Sequence, residues 1–102
     1  MKNKIKLLLL MLFVSISGFA QVIVTGTVSD EIEPLMMVNV VEIDDANRII
    51  EATTTDINGN FSMRVKNTKN KLQFSYIGYT TQTLPIGDRK VFNITLKDEL
   101  QI

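Results

Sequence analysis

The residues best placed to do chemistry in this 102-residue chain are Asp56, Asn58 and Asn60, which set side-chain oxygens at alternate positions within TTTDINGNFSM, residues 53–63. Oxygen donors so spaced open the binding loops of calcium proteins, where a glycine follows the third donor and a bidentate Glu closes the shell six residues on. Here Gly59 falls between Asn58 and Asn60, and an apolar alternation starts at once with Phe61. The stretch therefore reads as a turn: Asp56 and Asn58 bond the backbone just ahead of them and Gly59 takes the positive φ that ends it. Asn-Gly between alternating runs is also a hairpin signal, and no metal ligand is assigned here.

Reactive groups are scarce elsewhere. The chain has no His and no Cys, which removes Ser-His-Asp and Cys-His nucleophiles and the usual zinc ligands. Beyond the first twenty residues the serines are Ser29, Ser62 and Ser75, each in or beside an expected strand, and the glycines are isolated, so no phosphate loop forms. Two carboxylates meeting in space could still act as acid and base, but no spacing in the sequence marks such a pair. The reading is of a non-enzyme with no catalytic residue and no cofactor. Tyr76 and Tyr79, flanking Gly78, could form a sugar-binding face; the simpler use is Tyr76 packed in the core with its hydroxyl at the rim. Met36 and Met37 read as filler at a strand entrance.

The elements that must position these residues begin after a leader. Lys2, Lys4 and Lys6 precede LLLLMLFVSIS and a small-residue site at Gly18-Phe19-Ala20, the pattern of a secretory signal peptide over residues 1–20. Its apolar run of about eleven residues is too short for a membrane helix. Of eleven basic residues three lie in the leader, whereas all eleven acids lie at or after Asp30, so the exported part is about three charges negative. That sign argues against a nucleic-acid or anionic-membrane partner. The basic KNTKNK, residues 66–71, reads as a solvated hairpin loop.

From Gln21 onward, short alternating runs rich in β-branched residues recur between turn signals, and no window carries a convincing helical stripe. The main local rival is EPLMMVNVVEI, whose β-branched residues and missing cap argue against a helix. Seven strands are expected: VIVTGTV with Val22, Val24 and Val28 on one face; VNVVEI, apolar on both faces and so central; IIEATTT; FSMRV with Phe61, Met63 and Val65 inward; LQFSY with Leu72, Phe74 and Tyr76 inward; TTQTLP; and VFNITL with Phe92, Ile94 and Leu96 inward. SDEIEPL and DDAN are turns. The fold class is an all-β, seven-stranded antiparallel sandwich in one domain, residues 21–97, preceded by a signal-peptide helix over residues 1–20 and with 98–102 starting a linker.

Taken together, VTGTVSD, EPLMMVNVVE, TTTDINGNFSMRV, LQFSYIGYTTQTLPIG and FNITLKDE resemble the carboxypeptidase-regulatory-like (transthyretin-like) β-sandwich, in the version that precedes the plug of SusC/RagA-type TonB-dependent outer-membrane transporters. The resemblance runs from Val24 to Leu96, with TTTDINGNF and FSYIGY as its most specific pieces. It implies a non-catalytic periplasmic extension of a nutrient importer, in contact with the importer's other domains or with periplasmic proteins. Two departures stand out. The family usually has a glycine at Ile32 and a Pro-Gly pair at Met36 and Met37, so the first loop is expected to be differently shaped. The sequence also stops at Ile102, before any TonB box, plug or barrel, which fits either a fragment or a free-standing domain. Rival readings are a secreted glycan- or peptide-binding module and an accessory domain of an exported peptidase.

Overall fold

The computed structural model describes residues 22–99. Over this range the chain forms β1 (Val22–Ser29), β2 (Asn39–Ile43), β3 (Ile49–Thr54), β4 (Asn60–Val65), β5 (Lys71–Ser75), β6 (Gln82–Pro85) and β7 (Val91–Thr95). They make two sheets, one ordered β4-β1-β7 and the other β3-β2-β5-β6. The seven-stranded sandwich is as expected, and β2 is central in its sheet. The leader helix expected over residues 1–20 lies outside the described residues.

Alternation drives the packing. Phe61, Met63 and Val65 of β4, Leu72 and Phe74 of β5, and Phe92 and Ile94 of β7 are all buried, while their neighbours face water. Phe74 bridges the two sheets, its ring centroid 5.6 Å from that of Phe61 and 6.4 Å from that of Phe92. Such tilted and edge-on contacts add to the burial of each ring. Tyr76, expected inward, is only partly buried and packs on the margin of this core.

Connectivity differs from the expectation at three points. Neither the 55–59 turn nor the 66–70 loop closes a hairpin, because β3 and β5 belong to one sheet and β4 to the other. Both segments are corners between sheets, and true hairpins join only β2 to β3 and β5 to β6. The third difference is that β7 lies parallel to β1, pairing Thr25 with Val91 through Ser29 with Thr95, within an otherwise antiparallel set. The segment after β6 crosses to the opposite sheet, so β7 can run alongside β1.

The loops gather at two poles. One holds residues 30–38, 55–59, 76–81 and 96–99; the other holds 44–48, 66–70 and 86–90. At the first pole Met37 takes φ 65, in the left-handed region that costs an L side chain about 1–2 kcal/mol. The resemblance places a glycine there, and the chain keeps the glycine-like bend although a methionine occupies it.

Candidate functional site

The Asp56 turn carries the oxygen donors singled out above. Asp56 Oδ1 accepts the amides of Asn58 and Asn60, both at 2.9 Å, and the Asp56 carbonyl accepts the Gly59 amide. The carboxylate is thus turned into its own loop. Gly59 has φ 77, and a Cβ there would lie 2.5 Å from the Val28 carbonyl oxygen and 3.1 Å from Pro34 Cβ. Glycine serves two needs at this point, a positive φ and close packing against the end of β1. Among the described residues no cluster of three or more acidic side chains is arranged to hold a metal ion. Asp56→Ala should cost about 1–2 kcal/mol by removing two turn bonds, while Asp56→Asn, which keeps the acceptor, should stay within about 0.5 kcal/mol of the parent. Denaturant titrations with and without calcium check this: an ion site would make the Asn variant's loss depend on calcium.

Two polar side chains are fully enclosed, one towards each pole. Thr55 is 2% exposed; its hydroxyl donates to the Leu35 carbonyl at 2.7 Å and accepts the Val38 amide at 3.0 Å, fastening the 35–38 segment to the corner after β3. Glu42 is 0% exposed. Its Oε1 accepts the Lys66 amide at 2.8 Å, and its Oε2 accepts the Asn67 amide at 3.0 Å and the Asn70 Nδ2 at 2.7 Å. Three donors on one carboxylate fix the path of the 66–70 corner, and no buried side-chain nitrogen or oxygen among the described residues is left without a partner. Neither residue was singled out from the sequence.

Tyr79 and Tyr76 stack with ring centroids 5.8 Å apart at the edge of the core. The Tyr79 hydroxyl donates to Asp30 Oδ2 at 2.8 Å, and Asp30 Oδ1 accepts the Ile32 and Glu33 amides at 2.8 Å each. Tyr79 is therefore a tie between the first loop and the segment after β5 rather than a presented sugar platform. The cleft beside it, lined by Asp30, Ile32, Tyr79, Leu96, Lys97 and Asp98, has a volume of about 110 Å³. Pockets for small organic ligands run to about 300–1,000 Å³.

Hydrogen bonding also sets the charge states here. The Glu33 and Ile32 amides, with Tyr79, hold the Asp30 carboxyl below its ordinary 3.8, and the Arg48 amide does most to lower that of Asp44, helped by the Arg48 guanidinium and the Ala46 amide. Tyr79 moves the other way, raised above 10.0 by its bond to Asp30. For the two carboxyls the folded value is the depressed one, so their stabilisation is present above the unfolded value and is lost as pH falls through the folded one. Tyr79 contributes below pH 10.0 and loses its contribution as pH rises through its raised value. Acid melts of Asp30→Asn should show a shallower decline of stability below about pH 4 than the parent; an unchanged slope would remove Asp30 from the acid limb.

A two-sheet, seven-strand sandwich with side chains committed to corners and turns is a β-sandwich domain, and its sequence places it. The profile of the CarboxypepD_reg-like domain matches residues 24–101, and the chain belongs to that family. It is 43% identical over 83 residues to TonB-dependent receptor P39 of Formosa agariphila, covering 80% of this chain and 8% of that protein. To TonB-dependent receptor P3 of the same organism it is 30% identical over 76 residues, covering 72% of this chain and 7% of that protein. The chain thus corresponds to less than a tenth of the length of these relatives.

Proposed function

We propose that this chain is a non-catalytic extension domain of a TonB-linked, SusC/RagA-like outer-membrane nutrient importer. In this reading residues 1–20 are a leader that exports it, residues 21–97 form the domain at the periplasmic face of the outer membrane, and residues 98–102 begin the linker onward. Its work is contact with the importer's other segments or with periplasmic proteins. No cofactor enters into it. The observation that carries the proposal is the 43% identity to a TonB-dependent receptor across four-fifths of the chain.

The engagement of the most conspicuous polar groups supports it. Asp30, Glu42, Asp44, Thr55 and Asp56 each accept backbone amides, which is the behaviour of parts that hold a shape. The experiment is to read the coding sequence past Ile102. An in-frame TonB box, plug and barrel are expected, and an authentic stop codon directly after Ile102 would count against the proposal.

A further inference from the structure

Nine large apolar side chains stand exposed among the described residues, and their distribution is uneven. Four of them, Ile23, Ile49, Ile50 and Val91, sit on strands β1, β3 and β7. The other five are loop residues at one pole: Ile32 at 90% exposure, Met36 at 50%, Met37 at 58%, Ile57 at 77% and Ile77 at 95%. The loops 44–48, 66–70 and 86–90 of the opposite pole contribute none, the exposed Ile49 and Val91 beside them being the first residues of β3 and β7. Scattered exposed apolar residues are ordinary, but five on the tips of three neighbouring loops are not scattered.

These loops are held in place. The Asp30–Tyr79 bond ties the first to the third, the Met37 amide donates to the Thr55 carbonyl, and Thr55 bridges Leu35 and Val38. A surface fixed in this way loses little conformational freedom when it is covered. Charge at the same pole is one-sided: Asp30, Glu31, Glu33, Asp56, Asp98 and Glu99 stand against Lys97 alone. The loops of the opposite pole are basic, with Arg48, Lys66, Lys69, Arg89 and Lys90 against Asp44, Asp45 and Asp88.

We infer that the pole formed by Ile32, Met36, Met37, Ile57 and Ile77 is a docking surface for a cationic polypeptide segment, one that sets apolar side chains between lysines or arginines. The apolar tips supply contact area, and methionine adapts its shape to a partner at little cost. The acidic rim selects a basic partner and speeds its arrival. The 96–99 segment borders the same pole, where the Glu99 amide donates to the Gly78 carbonyl beside Ile77. A second copy would be a poor occupant. Its complementary basic pole has no large exposed apolar side chains on its loops, and such head-to-tail contacts grow into filaments unless the rotation closes a ring. The inference deepens the reading of the chain as a contact module and does not depend on which larger protein carries it. A failed binding test therefore leaves the importer assignment standing, to be decided by the coding sequence.

The test is an amide-detected NMR titration of the protein recovered from cells expressing the full sequence, using three short synthetic peptides: leucine–lysine, leucine–glutamate and serine–lysine. The leucine–lysine peptide should shift amides within 30–38, 55–59, 76–81 and 96–99 and no others. A paired Ile57→Ser and Ile77→Ser variant should bind it at least about tenfold more weakly. Both side chains are exposed, and an unchanged spectrum outside the pole confirms that the variant is folded. Equal binding of the leucine–glutamate or serine–lysine peptide, shifts on the sheet faces, or no shifts at all would overturn the inference. So would concentration-dependent broadening at both poles without peptide, which would make a second copy the occupant.

Discussion

Replacing Glu42 with alanine is expected to destabilise the domain by roughly 3–5 kcal/mol, enough to unfold a large fraction of a sandwich this small. The carboxylate is fully enclosed, and its removal orphans the Lys66 and Asn67 amides and the Asn70 side chain at the same time. Hydrogen bonds to a charged acceptor contribute about 1.5–3 kcal/mol each, and the loss is partly offset because Lys66 and Asn67 are exposed and water can reach their freed amides. Glu42→Gln separates these causes. It preserves the volume but turns an NH₂ towards one set of donors, so it should lose most of the same stability, whereas a purely steric role would leave Gln close to the parent. Urea unfolding of the three proteins reads the difference directly.

The second large effect is expected at Gly26, in the middle of β1. This residue is flanked by β4 on one side and β7 on the other, opposite Phe61 and Phe92. A Cβ at this position would fall on the Phe92 carbonyl group and lie 2.9 Å from the Phe61 ring. Backbone cannot swing aside as a side-chain tip can. Gly26→Ala should therefore open the parallel β1–β7 pairing and cost at least about 3 kcal/mol, with larger residues preventing folding. Circular dichroism and amide exchange along Val91–Thr95 would detect it, and a variant melting within about 2 °C of the parent would show that the strands move apart freely.

These two residues also mark where the sequence stops being informative. Alternation identifies inward residues well, because burial on one face is a local property of a strand: Phe61, Met63, Val65, Leu72, Phe74, Phe92 and Ile94 all face the core. Turn chemistry is equally local. Asp44 and Asp56 accept amides two and four residues ahead of themselves, and Gly59 supplies its positive φ. Alternation does not say which sheet a strand joins, and so Asn58-Gly59 and the 66–70 loop read as hairpins although each crosses between sheets. Glu42 was hidden for the same reason. It follows Val40 by two positions and so faces inward, but the donors that make this tolerable lie 24, 25 and 28 residues away. Thr55 depends on partners 17 and 20 residues back. Gly26 has no local signature, since its need for a missing side chain comes from a strand more than sixty residues further on.

The exposed pole was partly legible. Ile32 and the Met36-Met37 pair stood out as departures from the family pattern, and the structure places all three on the apolar, acid-rimmed end. Their company there, Ile57 and Ile77, comes from other loops brought alongside by the fold.

The account rests on polar side chains that hold backbone in place instead of meeting solvent or ions, and amide hydrogen exchange at Val38, Lys66 and Asn67 probes that most directly. Their acceptors are Thr55 and Glu42, so these loop amides should exchange as slowly as the amides of central strand β2. Exchange as fast as at Asp88 or Lys90 would mean that the two corners are open in solution, and that the enclosed carboxylate and hydroxyl have some other employment.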